Sequence, residues 1–321
     1  MVTVETGARL HFGFQNLSLA HDRLYGGIGV ALEEPRVVVE VEPAGRVRCR
    51  DSEVQPYAET AVDVLGVDGA RIDVLERFER HIGFGSGTQL ALACLVGTAA
   101  AYDRSVDPRA RAPALGRGGR SGVGVASFEN GGFVIDAGHR TERFTSQLPE
   151  PGSWTVPEPV VQRPLPEGWR FVLITPDVPV GRCGTAENAS MQSVVERADP
   201  GLADDIAAVV VRRLLPAVAE GDLAQFGSAV ERIGRLNGAW YADEQGGVYR
   251  PPVGTLIEQV RESDAIGGVG QSSWGPTVYG VTDVDRADRA KHDAQRALDQ
   301  AEIEGTVRCV APRQTGAVLE P

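Results

Sequence analysis

Apolar and polar positions alternate along the start of the chain and then give way to β-branched runs. Residues 2–6, 36–41 (Arg-Val-Val-Val-Glu-Val) and 71–75 therefore predict strands. The segment Ala8-Arg-Leu-His-Phe-Gly13 alternates strictly, so Leu10 and Phe12 point into a core while Arg9, His11 and Gly13 share the other face. Tyr25-Gly-Gly-Ile-Gly29 reads as a flexible segment. An apolar, alanine-rich stretch over 88–102 follows Gly83-Phe-Gly-Ser-Gly and predicts a largely buried helix, and strand character returns over 127–136. Prolines crowd residues 145–167, which predicts an extended connector and a division into units 1–160 and 161–321. Beyond it the pattern predicts a strand at 169–175 and helices near 186–198, 202–219, 222–236 and 253–262. A glycine-rich stretch over 267–280, a last helix over 284–302 and a strand at 306–311 complete the reading. Strands and helices alternate without a strict βαβ period, which makes α+β the expected class. No internal repeat is visible.

Composition narrows the partners. At 321 residues the chain is long enough for a sizeable core, and its net charge of −12 argues against nucleic acid and anionic membranes. Lys291 is the only lysine among 32 basic residues, a bias that fits a protein kept soluble in high salt and that a GC-rich genome would also produce. Cys49, Cys94, Cys183 and Cys309 are far apart and form no C-x-x-C pair, so they read as reduced thiols of a cytoplasmic protein. No apolar run approaches the length of a membrane span, and the N-terminus has no signal-peptide pattern.

Candidate chemistry gathers in three glycine loops. In Gly83-Phe-Gly-Ser-Gly-Thr-Gln89, residues Gly85, Ser86, Gly87, Thr88 and Gln89 open a helix, where free amides and the helix dipole suit a phosphate. A tight turn with no ligand is the plain alternative. Gly116-Arg-Gly-Gly-Arg-Ser-Gly122 supplies Arg117, Arg120 and Ser121, and the strand expected after it ends near Asp136 and His139. Solvated arginines on a surface hairpin would read the same way. The third loop offers Gln271, Ser272 and Ser273 as uncharged donors, with Trp274 able to cover a planar group or simply to be buried. No lysine follows the first loop as a Walker motif requires, and neither H-E-x-x-H nor G-x-S-x-G occurs.

Taken in order, Arg9-Leu-His-Phe-Gly13, Tyr25-Gly-Gly-Ile-Gly-Val30, Gly85-Ser-Gly-Thr-Gln89, Gly116 to His139 and Gly270-Gln-Ser-Ser-Trp-Gly-Pro276 resemble the GHMP-kinase superfamily. The fit is to its archaeal non-kinase branch, the β-ribofuranosylaminobenzene 5′-phosphate synthase family. That resemblance implies a ribosomal-S5-like N-terminal half, a ferredoxin-like C-terminal half and a site between them. It implies decarboxylating transfer of phosphoribose from phosphoribosyl pyrophosphate to 4-aminobenzoate or 4-hydroxybenzoate. A homodimer is expected, with Mg²⁺ to neutralise diphosphate charge and no nucleotide cofactor. On that reading the loop amides, Arg117 and Arg120 hold the departing pyrophosphate. Arg9 meets the arene carboxylate, Asp136 steadies the ribosyl cation, and His11 or His139 positions the para substituent or moves a proton. The chain departs from the kinases at two positions. Gly87 replaces the second serine of their phosphate loop, and Gly124 stands where some carry a catalytic aspartate. A small-molecule kinase and a non-catalytic ligand-binding relative are the competing readings.

Overall fold

The alternation at the start of the chain becomes one long hairpin. In the computed structural model, which describes residues 1–142, 144–147, 149–150, 152–179 and 184–320, β1 (Val2–Asn16) and β2 (Arg23–Pro43) pair antiparallel from Val2↔Val41 to Asn16↔Tyr25. Bulges interrupt the ladder between Gly7 and Arg9 and between His11 and Gly13. The segment expected to be flexible, Tyr25-Gly-Gly-Ile-Gly29, lies inside β2, where its glycines permit close approach. A Cβ on Gly27 would meet Ser121 Oγ at 2.1 Å, and one on Gly29 the Leu10 carbonyl oxygen at 2.3 Å. The strand β3 (Arg48–Cys49) runs parallel to β4 (Ala70–Glu76), which pairs with the far half of β2. On the near half of β2 lie β5 (Phe133–Asp136) and β6 (His139–Arg140), with β7 (Pro159–Arg163) outside β5.

Four helices accompany this sheet: α1 (Gln55–Leu65), α2 (Ser86–Ala101), α3 (Pro108–Arg111) and α4 (Val123–Asn130). Residues Leu90 to Leu95 of α2 are all buried, so its apolar residues follow no single stripe. α4 corrects an expectation. Residues 127–136 were expected to form one strand, yet the first four end a buried helix and Gly131, at φ 66°, turns the chain into β5. Short apolar runs do not distinguish the two states by period alone.

The second sheet has the order β11-β8-β10-β9, with β8 (Trp169–Pro176), β9 (Val269–Gln271), β10 (Val278–Asp283) and β11 (Gly305–Val310) all antiparallel. Its helices are α5 (Gly184–Arg197), α6 (Pro200–Val209), α7 (Leu215–Glu220), α8 (Leu223–Gln245), α9 (Val253–Val260) and α10 (Ala287–Gln300). The single helix expected over 202–219 is two, joined by a π-turn at Val210–Leu214. Pro216 has no N–H to continue the ladder there. The architecture is α+β. The tail returns to the first sheet, where β12 (Val318–Glu320) pairs with β1 and buried Arg313 holds Glu5 at 3.0 Å. Phe12 of β1 meets Phe226 of α8 at 5.9 Å and Tyr279 of β10 at 5.1 Å, so the halves share one aromatic core.

Candidate functional site

A cleft of about 210 Å³ opens where the first glycine loop meets the C-terminal half. Gly85, at φ 77°, turns the chain into α2, leaving the first amides of that helix without intrahelical partners. Ser86, Gly87 and Thr88 line the cleft, and Arg9, Arg80 and Arg117 surround them. The glycines let the arginines stand this close. A Cβ on Gly85 would come within 3.0 Å of Arg9 Nε, and one on Gly87 within 3.2 Å of Arg117 Nη1. The Tyr57 ring carries both outer cations, Arg117 at 5.1 Å and Arg80 at 5.6 Å from its centroid. Burial pushes Arg9 down to about 10, which still leaves it charged at neutral pH. Against these three cations the cleft presents one carboxylate among the described residues, Glu187 of α5.

The third loop locks the two halves together. Ser272 Oγ accepts from the His11 amide at 3.2 Å and donates to the Gly83 carbonyl at 2.8 Å. Arg9 Nη1 donates to the same carbonyl at 2.9 Å. Ser273 and Trp274 then face the cleft, and both also line a second, smaller space. This slot of about 40 Å³ is walled by His11, Phe14, Tyr241 and Trp274, with Tyr249 and Gln271 on its lining. Burial, reinforced by neighbouring Arg9, pushes His11 down to about 3, so its imidazole is neutral.

Six of the expected site residues serve as scaffold, Ser121 and Ser272 among them, since neither lines the cleft. Asp136 is fully buried, and its carboxylate accepts from Gly122 N at 2.7 Å, Gly138 N at 2.9 Å and Ser121 Oγ at 3.1 Å. Burial raises it to about 6 despite those bonds. It is absent from the cleft lining and instead ties the arginine loop to β5. His139 stacks on Phe144 at 3.7 Å and donates through Nε2 to the Gly118 carbonyl at 3.2 Å; burial lowers it to about 4. Buried Gln89 accepts from Thr6 Oγ1 and donates to the Gly124 carbonyl, pinning α2 to β1 and α4. Arg120 stands at the cleft edge, bonded to Glu187 Oε1 at 3.0 Å and to Asn188, and so positions α5. Cys183 lies outside the described residues.

Sequence reasoning missed Arg80, Glu187, Tyr241 and Tyr249. Arg80 lies three residues before Gly83 of the glycine loop and could have been found by that proximity. The others reach the site only through tertiary packing. Among the described residues no three His, Cys, Asp or Glu side chains gather to hold a metal ion, and no helix is long and apolar enough to cross a membrane.

The GHMP kinases C terminal family model matches residues 214–300. A β-ribofuranosylphenol 5′-phosphate synthase of Archaeoglobus fulgidus is 34% identical over 296 residues, covering 88% of each chain. The protein of the same name from Methanothermobacter thermautotrophicus is 33% identical over 302 residues, covering 87% of this chain and 88% of that one. The chain belongs to the β-ribofuranosylphenol 5′-phosphate synthase family. Solved structures agree on the fold at far lower identity. Mevalonate pyrophosphate decarboxylase from Streptococcus pyogenes superposes with a TM-score of 0.69 at 11% identity, covering 99% of this chain and 98% of that one. Phosphomevalonate kinase from Streptococcus pneumoniae, in complex with phosphomevalonate and AMPPNP, gives 0.68 at 14% identity over 96% and 100%. In this synthase-family chain Gly124 lies in the first turn of α4, and a Cβ there would already touch Thr88 at 3.2 Å. Any side chain there would press on the phosphate-loop threonine, which would have to give by a few tenths of an ångström.

Proposed function

We propose that the protein joins phosphoribosyl pyrophosphate to 4-hydroxybenzoate, releasing pyrophosphate and carbon dioxide to give a β-ribofuranosylphenol 5′-phosphate. The observation that carries this reading is the junction, at Ser273 and Trp274, of an arginine-rich glycine cleft with an aromatic-walled slot. The names of the relatives favour a phenol over an aniline as the acceptor ring. The ribose C1–O bond breaks and its electron pair leaves with pyrophosphate. The carboxyl-bearing ring carbon supplies the pair that forms the new C–C bond. The ring–carboxylate bond then breaks, its pair returns to the ring, and carbon dioxide departs. No proton leaves the ring carbon, so the chemistry needs no base at the position of Gly124.

Pyrophosphate fits the amides from Gly85 to Gly87 with Arg117 and Arg80, donors whose hold strengthens as charge develops on the leaving oxygen. Arg9, nearest the slot along β1, takes the arene carboxylate. Asp136 has its oxygens occupied elsewhere, which leaves Glu187 as the carboxylate able to face the ribosyl cation. Glu187 with the hydroxyls of Ser86 and Thr88 also suits Mg²⁺ carried on the diphosphate, where the ion would offset charge. Free Cys49, Cys94 and Cys309 fit a cytoplasmic location. The test is incubation with phosphoribosyl pyrophosphate and carboxyl-labelled 4-hydroxybenzoate. Equal release of labelled carbon dioxide and pyrophosphate is expected. ATP-dependent phosphorylation of a sugar or alcohol, with no carbon dioxide, would overturn the reading.

A further inference from the structure

The slot beside the cleft contains an unusual polar atom. His11 is 4% exposed and its Nε2 has no hydrogen-bond partner, although a buried polar group left unpaired costs about 1–3 kcal/mol. The atom belongs to a space walled by Phe14, Tyr241 and Trp274. About 40 Å³ there would hold about three waters, roughly the room of one planar ring. Arg9 and His11 leave β1 two residues apart, about 6.6 Å along a strand. That spacing is comparable with the length of a para-substituted benzoate from carboxylate to phenol oxygen. The second unpartnered polar atom on the lining, Tyr249 Oη, is surrounded electrostatically by Arg261, Glu231, Arg235 and Glu258 instead.

We infer that this slot binds the acceptor ring and that His11 selects it, with Nε2 accepting a hydrogen bond from a para hydroxyl while the ring lies against Trp274 and Tyr241. This rests on the acceptor class proposed above and assigns its recognition to one side chain. A ring without a para donor would leave Nε2 buried and unpaired, which is how a polar pocket rejects an analogue of nearly equal size. His11 is neutral because burial and Arg9 oppose its charge, so it can accept at physiological pH.

Calorimetry with 4-hydroxybenzoate and 4-fluorobenzoate tests this, with pyrophosphate affinity reporting that the cleft is intact. The wild-type protein should prefer the hydroxyl compound by about tenfold or more. His11→Leu should bring that ratio near one with pyrophosphate binding unchanged. His11→Gln, which keeps an acceptor, should retain part of the preference and carries the test if the leucine variant does not fold. Tyr249→Phe should leave the ratio as it was. A ratio indifferent to His11, or one lost in Tyr249→Phe instead, overturns the assignment even if 4-hydroxybenzoate is turned over. If neither benzoate binds the wild-type protein while pyrophosphate does, the acceptor reading itself fails and this inference with it.

Discussion

Arg117 and Arg120 occur in one loop and look equivalent in the sequence, yet they do different things. Arg117 lies across the Tyr57 ring and lines the cleft, whereas Arg120 spends its bonds on Glu187 and Asn188. Arg117→Ala should therefore lower kcat about 100-fold, the usual loss when one donor to a developing oxyanion is removed. Arg120→Ala should cost less and act mainly on KM for phosphoribosyl pyrophosphate, because it releases α5 from the cleft rim. Steady-state kinetics of both variants separate the roles, and equal losses in kcat would contradict this division. The residue types of the site were legible because glycine, arginine and serine announce anion chemistry wherever they cluster. Their orientation was not. Asp136 and His139 read as catalytic types, but the sequence gives no sign that three glycine amides and Phe144 claim them.

At the scale of elements, the site depends on how β1 is held against the C-terminal half. Asn237 of α8 is buried; it accepts from the Phe14 amide at 2.7 Å and donates to the Phe14 carbonyl at 3.0 Å. It bonds the strand beside the bulge at Gly13, where a Cβ would sit 2.6 Å from its side chain. Asn237→Ala should cost about 2–3 kcal/mol in denaturant unfolding, since it orphans both backbone groups of Phe14. It should also weaken benzoate binding more than pyrophosphate binding, because the slot and not the cleft is walled by this contact. A cost below about 0.5 kcal/mol would mean that water replaces both bonds. The strict alternation from Ala8 to Gly13 made β1 readable, and the alanine-rich run made α2 readable. β2 was half hidden because its glycines look like flexibility from sequence, although they are demanded by Ser121 and the Leu10 carbonyl. α4 was misread because an eight-residue buried helix has too few turns to show its period.

Charge acts on the whole molecule in two ways. Burial holds His11 down to about 3 and His139 to about 4, so between pH 6.5 and about 4 the unfolded chain takes up two protons that the folded one refuses. Stability from both is lost as pH falls through that window, at about 1.4 kcal/mol per pH unit for each. Asp136, raised to about 6, works in the opposite sense, because the folded state holds its proton between about 6 and 3.8. Burial also holds His81 down and Glu129 up, so three histidines stand against two carboxylates and the melting temperature should fall from pH 7 to pH 5. His139→Phe, which keeps a ring against Phe144, should flatten most of that slope; an unchanged slope would show that His139 is charged in the native protein. The second effect is repulsion. The net charge is −12, and ion pairs such as Arg71–Glu42 and Arg197–Asp243 are largely exposed, where solvent and salt already weaken them. Screening those pairs costs little, whereas screening twelve uncompensated charges relieves the whole surface. The Debye length shrinks from about 30 Å at 0.01 M to about 3 Å at 1 M. Raising KCl into the molar range should therefore raise the melting temperature. The same salt should weaken phosphoribosyl pyrophosphate binding if, as proposed, that anion enters the local field of Arg9, Arg80 and Arg117. Thermal melts and substrate titrations across one salt series separate the two responses. A melting temperature already maximal near 0.1 M KCl would assign the scarcity of lysine to causes other than salt, and would leave the arginine-lined cleft as the site.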